Sequence, residues 1–414
     1  MAAMRRMCVV TAGHLATCPR MLKAADALAG AGYVVRVISV SHTSWAADAD
    51  RAVFASRPWK WTAIDNRPET ERLRNAGTGI RFKAAHAIAR VIGPSRVPVS
   101  MAIRAYSRLH DEIVRAVTAE PADCVYGGTT GALAAVAESA ARLGVPYGID
   151  FEDFHSGEHA GPGAELANGL AARIERHVIA DAAFRTAGSP MIADAYHRAY
   201  GVRPTPIHNT FSVCVPETDF DRKDGALRLY WFSQTLGPDR GLEDVVRACG
   251  NAGVPIELHL RARASRASAE TLSSLQRAVA PRLTIVRHDP ASPDEMVRLA
   301  QPYDAGLACE EDAVLNRRLC LTNKAFTYLA AGVPVILSRT PAQAQLEADL
   351  GEAAFGYACG DVDGLARILR QLPGDSALCR RAHCAARAAA ERRWHWEHAD
   401  DRGALLSAVA SAIR

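Results

Sequence analysis

Short runs of β-branched and aliphatic residues alternate along this chain with longer Ala-, Leu- and Arg-rich stretches whose apolar positions recur at helical spacing. Runs of strand length alternating with stretches of helical period predict parallel sheets covered by helices. In the first half the pattern predicts strands at 7–12, 34–40, 123–127, 146–151, 183–187 and 205–208. Helices are expected between them at 20–31, 81–119, 131–143, 164–180 and 190–200.

The alternation stops at SVCVPETDFDRKDG, a polar stretch of Pro, Gly and charges that reads as a linker. It then restarts, with strands expected at 227–233, 255–261, 283–286, 305–308, 334–337 and 354–358 and closing helices at 376–393 and 397–413. The predicted fold is therefore α/β, two Rossmann-like doubly wound domains facing a cleft. The first spans 1–211, the linker 212–226, the second 227–390, and a terminal helix 391–414. Open α/β sheets bind ligands outside the carboxyl ends of their strands, so function is sought in loops that follow strands.

Composition narrows the class. A length of 414 residues fits two domains, and 49% hydrophobic with 23% charged residues supports sizeable cores and excludes a disordered or fibrous chain. A net charge of +4 from 49 basic and 45 acidic residues gives no basis for a dedicated nucleic-acid binder. Ten cysteines stand singly, without a CxxC pair, as reduced thiols do in a cytoplasmic protein; neither a disulfide framework nor a zinc site is expected. The two arginines near the start precede a run short enough to be a first strand rather than a signal peptide. No stretch reaches the roughly 20 apolar residues of a membrane span, so contact with the inner face of a membrane would be peripheral.

Candidate chemistry gathers in two segments of the second half. In LYWFSQTLGPDRGLEDVVRA a strand leads through Gln234 and Thr235 into a loop holding Gly237, Pro238, Arg240 and Gly241, and a helix begins near Leu242. A strand, a Gly-rich loop and a helix N-terminus present free amides and a cation to an anion; the plain alternative is a turn with a solvated Arg. In CEEDAVLNRRLCLTNKAFTYLAAGVPVILS, Thr322, Asn323 and Lys324 open a helix that ends at Gly332. A cation in a first turn opposes the helix dipole, a conflict that a bound phosphate would resolve, or that a surface Lys pointing away would avoid.

The second half from Leu229 to about Leu372 resembles the nucleotide-sugar domain of the group 1 (family 4) glycosyltransferases of GT-B fold. LNRRLCLTNKAFTYLAAGVPVI looks like that family's signature, TCPRMLKAADALAGAGYVVRVI like its first βα unit, and PYGIDFEDFHSGE like its acidic, His-containing loop. The resemblance implies sugar transfer from a nucleoside diphosphate donor to a hydroxyl-bearing small-molecule, glycan or lipid-linked acceptor, with retention and without a metal or other cofactor. Fixed cations and amides must then stabilise the departing diphosphate. Arg240 and Lys324 are the matching cations, and Gly237 and Gly241 allow close backbone approach. One departure stands out: the family's two Glu positions, eight apart, hold Leu319 and Thr327 here. Contacts to ribose or sugar pass to Glu310, Glu311, Asn316, Asn323 and Thr327, while Gln234 and Thr235 replace an expected basic residue. The donor's base and sugar stay open.

In the first half Asp150, Glu152, Asp153, His155 and Glu158 cluster directly after a strand. A His among carboxylates suits acceptor positioning, donor-sugar contact or proton transfer, with His155 and Glu158 the preferred catalytic pair; the alternative is a set of exposed acids near a helix start. Gly13 and His14 are placed at the cleft floor. Arg20 is a contact residue or an interdomain salt-bridge partner, and Cys18, with no base beside it, a packing residue. The basic, partly amphipathic stretch 79–110 reads as a surface for an anionic bilayer or as a surface helix broken at Gly93 and Pro94. Trp45, Trp59 and Trp61 line an acceptor pocket or belong to the core. The resemblance also implies that the last helix returns to the first domain, with Trp394 and Trp396 packing between domains and no catalytic role for His395 or His398. A sugar-nucleotide epimerase and a noncatalytic nucleotide-sugar-binding subunit remain as rival readings.

Overall fold

The computed structural model describes residues 4–214, 225–237, 241–279 and 281–414, apart from the side chains of Arg266 and Ala267. The chain divides into two compact units: Met1–His208 with Val314–Asn316 and Ala399–Arg414, and Asn209–Ala313 with Arg317–His398.

The first unit is built on β1 (Arg6–Thr11), β2 (Val34–Ser41), β3 (Lys60–Asp65), β4 (Cys124–Gly128), β5 (Tyr147–Phe151), β6 (Phe184–Ala187) and β7 (Thr205–Pro206). They form one parallel sheet in the order β3-β2-β1-β4-β5-β6-β7. The second unit holds β8 (Leu227–Leu236), β9 (Ile256–Ala264), β10 (Leu283–His288), β11 (Ala305–Ala308), β12 (Val335–Ser338) and β13 (Ala354–Tyr357). Its sheet, also parallel, runs β10-β9-β8-β11-β12-β13. The winding is the same in both: the first strand is central, and strand order reverses between β1 and β4 and between β8 and β11. Those two reversals are the switch points where open α/β sheets leave a crevice for ligands.

Central strands are buried along nearly their whole length, as β1, β2 and β4 show, because helices cover both faces. Local chemistry sets the helix ends. Pro19 starts the helix Pro19–Gly30, the Ser189 hydroxyl accepts the Ile192 amide at the head of Pro190–Tyr200, and left-handed Gly144 and Gly201 close two helices. In the second core the Tyr328 ring lies so close over Gly306 that a Cβ there would meet it at 2.2 Å, and its hydroxyl donates to the Tyr230 carbonyl at 3.0 Å.

Four expectations change. The sequence pattern misses β3 and the helix Ser44–Phe54; β3 is an edge strand, mostly exposed or half-exposed, so it lacks a buried run. The expected helix 81–119 is three helices, Arg72–Ile92, Val99–Tyr106 and His110–Thr118; the break at Gly93 agrees with one reading of the sequence, and the second was not expected. Gly93 at φ 89°, Pro98 and the extended Ser107 break it. The closing helix begins with a π-helical turn, Ala399–Gly403, before Ala404–Ala412. Trp394 packs in the second unit's own core, stacked on Phe326 with ring centroids 5.5 Å apart, which replaces the interdomain role expected for it. Trp59 and Trp61 are likewise packing residues: both rings lie against Phe54, and their indole N–H groups donate to Asp26 and Ser39. No helix among the described residues is long and apolar enough to cross a membrane.

Candidate functional site

In the first unit, β5 delivers the chain into Glu152, Asp153 and Phe154 and then a short turn, His155–Gly157. A buried carboxylate anchors that turn from below. Glu175 accepts the Tyr196 hydroxyl at 2.6 Å, the Tyr200 hydroxyl at 2.6 Å and the Ser156 amide at 3.2 Å, and the Tyr196 oxygen accepts the His155 amide at 3.4 Å. From the side, the Asn316 oxygen accepts the Phe154 amide and its nitrogen donates to Asp153, both at 2.8 Å.

His155 Nδ1 lies 2.5 Å from Glu158 Oε1. Burial pulls the imidazole pKa down, but the bond to Glu158 and the charges of Glu158, Glu175 and Asp153 outweigh it and raise the value to about 9. At neutral pH His155 is therefore an imidazolium, able to donate and not to act as a base. Its Nε2 is buried and has no hydrogen-bond partner among the described residues. A buried charged N–H without an acceptor is costly, and it marks a place where a ligand oxygen would be favoured. Glu158 also adds to the burial that pushes the Tyr106 hydroxyl to about 12. Burial raises the neighbouring Glu152 carboxyl above the usual carboxylate range, against Arg20 and with help from Asp153 and Asp150, which favours its taking up a proton.

Arg20 and His14 prove to be braces. Arg20 forks onto Asp150 through Nε (2.8 Å) and a terminal nitrogen (2.5 Å), and its third donor reaches the Ile207 carbonyl at 2.6 Å. All three acceptors lie in the first unit, which corrects the expectation of an interdomain partner. His14 Nδ1 meets the fully buried Asp50 at 2.8 Å, while Nε2 accepts the His42 and Thr43 amides at 2.9 and 3.2 Å. Both ring nitrogens are engaged, so His14 fixes the loop after β1 rather than reacting. Gly13 beside it has open space where a side chain would stand. Burial pushes the Cys18 thiol up to about 12, in keeping with packing.

Sequence reasoning passed over the end of β4. Thr129 has φ 69° and ψ 139°, a conformation that β-branched residues rarely hold, and its hydroxyl accepts the Ala12 amide at 3.2 Å. It thereby ties the loop after β1 to the head of the helix Thr130–Leu143 at the first switch point. The GGTTG string after a predicted strand was the available signal.

In the second unit, Gln234 and Thr235 are exposed near the end of β8, where the pairing with β9 slips between Phe232 and Thr235. Gly237 follows, and a Cβ there would meet nothing within 4 Å among the described residues. Gly241, at φ 67°, caps the helix Leu242–Ala252, and a Cβ there would lie 3.2 Å from Cys309 Cβ. Arg240 lies outside the described residues, as do Pro238 and Asp239.

Lys324 is neither turned away nor waiting alone for an anion. Its Nζ lies 2.8 Å from Glu310 Oε1 and 5.7 Å from the centre of the Trp231 ring, and the residue is 6% exposed. Arg317 approaches the other oxygen of Glu310 at 2.9 Å. Glu310 thus answers the unfavourable position of Lys324 in its helix, and the three groups together carry one net positive charge. Ser338 fixes Glu310 by accepting its amide at 2.8 Å and donating to its carbonyl at 2.7 Å.

The remaining donor-side residues divide. The Asn323 side-chain oxygen, Oδ1, accepts from the Asn209 side-chain nitrogen, Nδ2, at 2.8 Å. Thr327 is 1% exposed, with its hydroxyl donated to the Asn323 carbonyl at 3.0 Å, and Leu319 is 5% exposed. Glu311 is exposed. Asn316 groups with the first unit, where its side chain is engaged by Asp153 and Phe154. Among the described residues, no group of three or more His, Cys, Asp or Glu is placed to hold a metal ion.

Two parallel sheets, each wound as a Rossmann unit, define the GT-B type of architecture, and solved glycosyltransferase structures share it over the whole chain. The Anabaena protein HepE in complex with UDP-glucose is similar at a TM-score of 0.66 and 13% identity, covering 98% of both chains. Sucrose-phosphate synthase from Thermosynechococcus elongatus is similar at a TM-score of 0.64 and 13% identity, covering 99% of this chain and all of the other. S. aureus TarM, in a complex that includes UDP, is similar at 0.67 and 7% identity, with 99% of this chain covered. No protein-family model and no curated protein sequence matches the chain.

Proposed function

We propose that this chain is a glycosyltransferase that uses a nucleoside diphosphate sugar. The bond between the anomeric carbon and the diphosphate breaks, the acceptor oxygen bonds to that carbon and gives up its proton, and the nucleoside diphosphate leaves. The donor diphosphate binds at the switch point of the second unit, between the loop after β8 and the loop after β11. The observation that carries this reading is the buried pair of Glu310 and Lys324 with the half-buried Arg317 on the second oxygen of Glu310. It holds a net positive charge beside a glycine-opened helix N-terminus, in a fold shared with the UDP-glucose complex of HepE. A preorganised cation in a low-dielectric site stabilises a leaving diphosphate without a metal, and we include metal independence and retention in the proposal. The first unit handles the acceptor. There the His155 imidazolium donates through Nε2 to a substrate oxygen, and Glu152 takes up the acceptor's proton.

The test is release of nucleoside diphosphate from a panel of UDP-, GDP-, ADP- and dTDP-sugars in the presence of a chelator. One donor should be consumed, with the α or β configuration of the product reporting retention. A second reading, nucleotide-sugar binding without transfer, is favoured by one observation: the two positions that carry acids in the resembling family are interior here, as Leu319 and Thr327. It predicts that a nucleotide binds and no donor is consumed.

A further inference from the structure

The helix Arg72–Ile92 is unusual in what it leaves in solvent. Among the described residues eight large hydrophobic side chains are exposed, and five of them are on this helix: Leu73 (91%), Ile80 (70%), Ile88 (41%), Val91 (88%) and Ile92 (41%). At about 100° per residue, Leu73, Ile80 and Val91 fall within about 20° of one line along the helix, and Ile88 lies just beside it. The residues that the helix buries, Thr78, Ala85 and Ala89, lie on the opposite side. A surface helix normally turns its apolar stripe to the core; this one has a second stripe facing out.

Charge says what the stripe fits. The helix carries five basic residues and no acidic one. Arg72, Lys83 and Arg90 are exposed along one flank of the apolar line; on the other, Arg74 pairs with Glu71 and the half-exposed Arg81 with Asp111 and Glu112. An apolar stripe edged along one flank by exposed cations, some 30 Å long at 1.5 Å per residue, is the pattern of a helix lying in the plane of an anionic bilayer. A second copy of the chain fits poorly, since a self-complementary contact would set these cations against one another.

We propose that the outward face of Arg72–Ile92 is a docking surface for an anionic bilayer. Leu73, Ile80 and Val91 enter the acyl boundary, and Arg72, Lys83 and Arg90 lie at the level of the lipid phosphates. The assignment stands independently of the catalytic reading, because none of these residues belongs to the site described above.

The experiment is co-sedimentation of the full chain with vesicles of phosphatidylglycerol mixed into phosphatidylcholine, against vesicles of phosphatidylcholine alone. The wild type should bind the anionic vesicles selectively, more weakly as salt is raised. Changing Arg72, Lys83 and Arg90 to Gln should weaken binding about five-fold per cation, and Ile80→Asp with Val91→Asp by at least about ten-fold. Because these side chains are exposed, the variants should melt as the wild type does. Equal, weak binding to both vesicles overturns the proposal, as does full binding by the variants. So does a dimer, seen in analytical ultracentrifugation, that Ile80→Asp with Val91→Asp dissociates.

Discussion

Replacing Glu158 by Gln keeps the size of the side chain and removes the carboxylate 2.5 Å from His155 Nδ1. In the native chain burial lowers the His155 pKa, yet the surrounding carboxylates, Glu158 foremost, carry it from 6.5 to about 9. That difference corresponds to about 3 kcal/mol in favour of the charged form. Because the folded value lies above the unfolded one, this stabilisation is complete below pH 6.5 and disappears as pH rises through about 9. With the carboxylate gone, burial dominates and the His155 midpoint should fall to near 6.5 or below. Histidine ring resonances, assigned by their loss in His155→Gln, would follow the titration directly. Urea unfolding should show Glu158→Gln less stable by about 3 kcal/mol at the acidic end of this window, with the gap closing at the alkaline end. A wild-type His155 that titrates at or below 6.5, or a stability gap that does not change with pH, would refute the reasoning.

Three further outcomes follow from other parts of the structure. Lys324→Met removes the ammonium that lies 2.8 Å from Oε1 of Glu310, a 4% exposed carboxylate, and should cost about 3 kcal/mol in urea unfolding, with much of it recovered by adding Glu310→Gln. Gly241→Ala places a Cβ at φ 67° and against Cys309, so it should lower stability by about 1–2 kcal/mol and weaken nucleotide binding in calorimetry. Iodoacetamide at mildly alkaline pH, read by peptide mass spectrometry, should modify the exposed Cys214 and Cys384 and spare Cys18, whose buried thiol is pushed to about 12.

The fold was legible wherever a strand is buried on both faces, because such strands write continuous apolar runs into the sequence. β1, β2 and β11 are of this kind. β3 was not, since an edge strand alternating Trp, Thr and charge writes no such run. Of the candidate site, the contacts local in sequence could be read: His155 and Glu158, three residues apart, form one hydrogen-bonded pair. The position of Lys324 in its helix was visible as an anomaly, but its cause was not. Glu310 lies 14 residues earlier and is set in place by Ser338 on the neighbouring strand, a relation that only the pairing of β11 with β12 creates. Glu175 beneath the His155 turn and the backbone of Thr129 are hidden for the same reason, as both depend on tertiary packing.

The central claim is that a nucleoside diphosphate binds the second unit beside Lys324 and the loop containing Arg240. Calorimetric titration of the wild type with UDP, GDP, ADP, CMP and dTDP tests it most directly, repeated with Arg240→Ala. The account predicts that one diphosphate binds and that the substitution weakens it by about 2 kcal/mol or more, the usual loss when a charged hydrogen bond to a phosphate is removed. Binding of none of them, or binding that Arg240→Ala leaves unchanged, would contradict it.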